Sequence, residues 1–196
     1  MPASPIYLRV AALLALALLA ASAACSTAFT LPPATLGTVQ DTVTLWALTG
    51  TDLSYPSAYD LVLGSVARTD RTSVFDFAVD IGADNLKDTS AVLLPRGALG
   101  LYVDGGLQVT QQAFDSVTFA PTSGYQDTSA VVVKAGTVVL AASRSQTCNF
   151  GLVKPLYGKL HVTKVDPVAR SVTFAIVADR NCGYRSLKVD TLPPTQ

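Results

Sequence analysis

The chain has 196 residues, 14 basic and 14 acidic, and no net charge. With no basic surface and no block of like charge, it is not expected to bind nucleic acid. All fourteen acidic residues are aspartate, and Val and Thr are abundant, which favours strands joined by Asp- and Gly-containing turns over helices.

The first residues, 1–9, carry one positive charge, Arg9, and an apolar run follows to Ala21. Small residues Ser22-Ala23-Ala24 then lead into Cys25. Charge, oil and small residues in that order make a bacterial secretory signal. The run from 10 to 24 is fifteen residues, short of the roughly 20 needed to span a bilayer. No later stretch is as apolar, so the mature protein is expected to lack a transmembrane helix. Ser22-Ala23-Ala24-Cys25 resembles the lipobox of bacterial lipoproteins, although that family usually places an aliphatic residue where Ser22 stands. The resemblance implies a lipid on Cys25 and a membrane as partner. An ordinary signal-peptidase site is the competing reading.

Cysteine arithmetic bears on the same point. In an oxidising compartment Cys148 and Cys182 are expected to pair, which leaves Cys25 over, and lipidation accounts for it. Two distant cysteines and one histidine lack zinc spacing, so neither metal nor cofactor is expected. The chain then divides into a leader (1–24), an anchor and Thr/Pro tether (25–38), a single β domain (39–192) and a tail (193–196). Pro32-Pro33 keeps the tether out of helices and central strands.

Within the domain, strands are expected at 39–48, 59–66 and 73–81. The last shows clean alternation, with Phe75, Phe77, Val79 and Ile81 on one face and Asp76, Ala78 and Asp80 on the other. Shorter candidates follow at 91–94, 99–103, 107–111 and 115–120, with Gly105-Gly106 suited to a tight hairpin. Residues 130–134 and 137–143 flank Ala135-Gly136; 159–165 and 172–177 flank a turn at 166–170. In the latter pair Leu160 and Val162 oppose Val172, Phe174 and Ile176, and the cysteines lie just outside this meander. About ten short strands with frequent turns point to a mainly β fold, an antiparallel β-sandwich with a barrel-like alternative. An echo links 87–94 to 126–133, thirty-nine residues later. It reads either as a duplicated half-sandwich or, more simply, as chance repetition in a Val/Thr/Asp/Ser-rich chain.

Chemistry is thinly represented. His161, the single histidine, falls with Lys159 and Thr163 on the more polar face of its strand, a surface position. Serine-nucleophile motifs are absent, and no catalytic residue is assigned. Asp76, Asp80, Asp84 and Asp88 recur every four residues without the spacing of a calcium loop and read as turn and solvated residues. Asn181, Gly183, Tyr184 and Arg185 flank Cys182 and form a candidate binding loop; a plain turn is the alternative.

Phe75-Asp76-Phe77-Ala78 is similar to the aromatic-Asp-apolar-Ala strand of HmuY-type haem-scavenging lipoproteins. Gly136-Thr137-Val138-Val139-Leu140 and Tyr157-Gly158-Lys159-Leu160-His161-Val162 resemble their closing strands. The resemblance implies an exported, mostly β, lipid-anchored protein. Members of that family ligate haem through paired histidines, which one histidine cannot reproduce. The expected function is a non-catalytic envelope lipoprotein acting in binding or structure. A carrier with an apolar pocket between its sheets and an Asp- or metal-dependent hydrolase are the alternatives.

Overall fold

Alternating Leu160, Val162 and Phe174, Ile176 build the two longest strands, and the rest of the fold assembles around them. The computed structural model describes residues 31–82, 89–148, 151–189 and 191–193. The expected leader, Cys25, the first part of the expected tether, Asp84, Asp88, and residues 194–196 lie outside the described residues.

Twelve strands are present among the described residues: β1 (Gln40–Trp46), β2 (Ala58–Asp60), β3 (Ser65–Ala67), β4 (Phe77–Asp80), β5 (Ala91–Pro95), β6 (Gly106–Thr110), β7 (Val131–Val133), β8 (Val138–Ala142), β9 (Gln146–Thr147), β10 (Val153–Lys154), β11 (Tyr157–Asp166) and β12 (Ser171–Asp179). They form two five-stranded sheets, ordered β1-β12-β11-β8-β6 and β3-β2-β4-β5-β7, and a small β9–β10 pair. Every pairing is antiparallel. The two sheets stay separate, so the protein is a β-sandwich and not a barrel.

Between the sheets, Leu45, Val139, Leu160, Phe174 and Ile176 of the first meet Tyr59, Phe77, Val79 and Leu93 of the second. Tyr59, Phe77 and Phe174 join across the interface with ring centroids 5.9–6.4 Å apart. The expected β11–β12 hairpin is present, with Leu160 opposite Ile176 and Val162 opposite Phe174. Its turn is set by Asp166, whose Oδ1 accepts the N–H groups of Val168 and Ala169. Strand β8 pairs with the other side of β11, completing the meander.

The first sheet is covered on its outer face too. Phe114, Val117, Ala120 and Leu187 pack onto Val138, Leu140, Tyr157, Ala175 and Val177. That second layer explains why β8 is buried along its whole length, as a continuous apolar run demands.

Several expected elements differ. Residues 59–66 are not one strand but the tight β2–β3 hairpin, because Asp60 turns the chain by accepting the N–H groups of Val62 and Leu63. Strand β4 begins only at Phe77; Asp76 is drawn inward to Arg144, and Phe75 joins Ala78 instead of Phe77. The anticipated 73–81 strand is therefore not continuous, and residues 75–79 are buried on both of its faces. Residues 96–99 and 114–116 are 3₁₀ turns, which removes the expected strands at 99–103 and 115–120. Gly105-Gly106 closes no hairpin. It allows close approach: a Cβ at Gly105 would strike the backbone of Ala142 and Ser143, and one at Gly106 the carbonyl of Gln126. Ala135-Gly136 does not join paired strands either, since β7 belongs to one sheet and β8 to the other.

The echo has a clear outcome for its described part. Ala91 and Leu93 face the core, whereas their counterparts Ala130 and Val132 are exposed. Instead β5 and β7 are neighbours, with Leu93 opposite Val131. A one-residue offset reverses the faces, so the matching strings do not fill matching places, and the chance reading fits better than a duplicated half-sandwich.

Candidate functional site

Three places bring chemically capable side chains together. The first is a groove of about 850 Å³ beside the β7–β8 crossover, with His161, Gln112, Asp115 and Thr137 in its lining. His161 is half-buried and stacks on Phe114, ring centroids 5.7 Å apart. Its neighbour on the same strand face, Lys159, is not at the surface as expected from its polar company. Lys159 is buried beneath the 3₁₀ turn Phe114–Ser116. Its Nζ donates to the carbonyls of Phe114 and Val117, both at 2.9 Å, and lies 4.5 Å from the centre of the Phe114 ring. Burial pulls its pKa below the ordinary lysine value, and Asp115 partly restores it. The strand alternation is as read; the covering layer is what buries the residue.

The second place lies between the sheets. Arg144, just past β8, reaches Asp60 at the end of β2 (2.9 Å) and Asp76 ahead of β4 (3.1 Å). Asp76 also accepts the N–H groups of Leu61 and Arg144, each at 2.7 Å. Both carboxylates are buried. Desolvation pushes the Asp76 carboxyl upward in pKa, against the pull of the Arg144 N–H and guanidinium. All four carboxylate oxygens of Asp60 and Asp76 are engaged by the protein itself. Sequence reasoning assigned Asp76 to a solvated turn and did not single out Asp60 or Arg144. The one available signal was an aspartate inside an aromatic strand motif, Phe75-Asp76-Phe77.

The third place holds the anticipated cysteines and loop. Cys148 and Cys182 stand at disulfide distance, Cα atoms 5.8 Å apart, at the end of the sandwich where β11 begins and β12 finishes. The loop residues turn inward. Asn181 Oδ1 accepts the N–H groups of Thr35 and Leu36, and its Nδ2 donates to the Leu36 carbonyl and to Asp179. Tyr184 is buried, with its hydroxyl donating to the Pro32 carbonyl at 2.8 Å. Arg185 lies over the Phe119 ring and donates to the Ala120 carbonyl. Gly183 takes a positive φ, +81°, that completes the turn. These side chains are spent on this chain itself, and the loop clamps residues 32–36, part of the expected tether. Thr38 continues the attachment, with its hydroxyl on the Lys188 carbonyl.

Asp80 caps a turn by accepting the N–H and hydroxyl of Thr49. Among the described residues no three His, Cys, Asp or Glu side chains converge as a metal site, and no helix is long and apolar enough to cross a membrane. Comparison of the chain with protein-family models, curated proteins and solved structures finds no match. The class that the fold defines is an antiparallel β-sandwich with a cysteine pair at one end.

Proposed function

We propose that this protein is an exported, lipid-anchored module of a bacterial cell envelope that acts by binding or as a structural element. The observation that carries this reading is the Cys148–Cys182 pair at disulfide distance, because such pairs persist in oxidising compartments. The leader, the lipobox-like Ser22-Ala23-Ala24-Cys25 and the likeness to HmuY-type lipoproteins support the same placement. A non-catalytic role draws on the way Asp60, Asp76, Arg144 and Lys159 are consumed by structural bonds.

A second reading, a small-ligand carrier, draws on the groove beside His161, which exceeds the roughly 300 Å³ lower bound of ligand pockets. It moves the ligand to the outer face, since the space between the sheets is occupied by packed side chains.

Fractionation of cells carrying the wild type or Cys25→Ala tests the anchor. The wild type is expected with the membranes and the variant in the soluble fraction. Equal partition of both into the soluble fraction would overturn the proposal.

A further inference from the structure

Cys182 is embedded in the clamp that holds the segment 32–36. Asn181 immediately precedes it and binds Thr35 and Leu36 at 2.9 and 3.0 Å through their N–H groups. Tyr184 lies two residues after it and binds Pro32. The turn between them is closed by the Tyr184 N–H on the Asn181 carbonyl at 3.0 Å, and beyond its backbone continuity with β12 it is cross-linked by the bridge to Cys148. An open cavity of about 280 Å³ runs along this arrangement, with Pro32, Leu36 and both cysteines in its lining. Cys182 is only half-buried, whereas Cys148 is nearly covered. The exposed Arg180 lines the same cavity, a cation placed to favour an approaching thiolate.

From this juxtaposition we infer that the Cys148–Cys182 bridge is a redox latch, a thiol-exchange site whose opening releases residues 32–36 from the domain. The co-reactant is a dithiol reductant. One of its thiolates attacks Cys182 Sγ, the bridge breaks, and Cys148 leaves as a thiolate that takes up a proton. The second thiol of the reductant then attacks the mixed disulfide, freeing Cys182 as a thiol. The reductant ends as a disulfide, and two electrons and two protons have passed to the protein. Opening loosens the turn that aims Tyr184 and Asn181 at the segment. The sandwich keeps its own hydrogen bonds, because β11 and β12 are paired along their length without help from the bridge. The inference holds whether or not Cys25 carries a lipid.

The test is amide hydrogen exchange on the full-length oxidised chain, with and without dithiothreitol and without denaturant. Reduction is expected to proceed under these native conditions. Exchange at Thr35 and Leu36 is expected to quicken at least tenfold while β11 and β12 amides such as Leu160 and Ile176 hold their rates. An Asn181→Ala variant, bridge intact, should exchange rapidly at Thr35 and Leu36 from the outset and respond little to dithiothreitol. Reduction that requires denaturant would overturn the inference. So would continued protection of Thr35 and Leu36 in the reduced protein, or a loss of protection shared by the segment and β11–β12, which is the behaviour of a global staple.

Discussion

Asp179 is fully buried at the end of β12, and its two carboxylate oxygens are treated unequally. Oδ1 accepts the N–H and the Nδ2 of Asn181, at 2.9 and 2.8 Å, whereas Oδ2 has no partner. Burial raises its pKa above the ordinary 3.8, with the Asn181 bonds pulling the other way. A carboxyl whose folded pKa is raised holds its proton more tightly in the folded state than in the unfolded one. Its stabilisation is therefore complete below the unfolded value and is lost as pH climbs through the folded value. At neutral pH the ionised group is a net cost. Asp179→Asn keeps the acceptor for Asn181 and removes the buried charge. Urea unfolding at pH 7 is expected to show a gain of about 1 kcal/mol, and the gain should fade as pH falls through the raised folded value and be gone below about 4, the unfolded value. A variant less stable than wild type at pH 7 would show that the Asp179 charge has a partner worth keeping.

At the scale of elements, β11 shows what alternation reveals and what it omits. Leu160 and Val162 point between the sheets, and Lys159 and His161 point the other way, as period two requires. The β11–β12 hairpin, its Asp166 turn and the sandwich class were legible for that reason. What alternation leaves out is whether a face has a cover. The layer over Lys159 comes from 3₁₀ and irregular backbone around 114–120 and 184–187, which carries no periodic signal. Its trace lies in β8 instead, where apolar residues on both faces call for two covers. Lys159 joins the layer to the strand through the Phe114 and Val117 carbonyls. Lys159→Met preserves length and apolar contact but leaves two carbonyls without their donor. A loss of about 2 kcal/mol in unfolding free energy is expected, with faster amide exchange confined to 114–120. An unchanged stability would mean that the apolar stem, not the ammonium, holds the layer.

For the whole molecule, the question is what fixes one sheet against the other. Apolar contacts between Phe174, Phe77 and Tyr59 supply cohesion without direction. Direction comes from Arg144, which belongs to one sheet's connection and grips two aspartates of the other. Asp60 and Asp76 lie 84 and 68 residues away from Arg144 in the chain, so no local pattern could announce the pairing. Only the folded topology, which brings the end of β2, the residue ahead of β4 and the residue past β8 together, creates it. Sequence distance likewise hides the clamp formed by residues 181–185, whose partners at 32–36 lie 145–152 residues earlier in the chain. A buried pair broken on one side leaves uncompensated charge, which costs about 3–5 kcal/mol. Arg144→Ala strands two carboxylates at once and is expected to lose at least that much at pH 7. Asp60→Asn and Asp76→Asn added to Arg144→Met should recover much of the loss, because an engaged ion network and a neutral replacement differ little in net stability. Urea midpoints of the single and triple variants decide the matter. If Arg144→Ala loses under about 1 kcal/mol, the range of an exposed ion pair, then the sheets are oriented by their packed side chains alone.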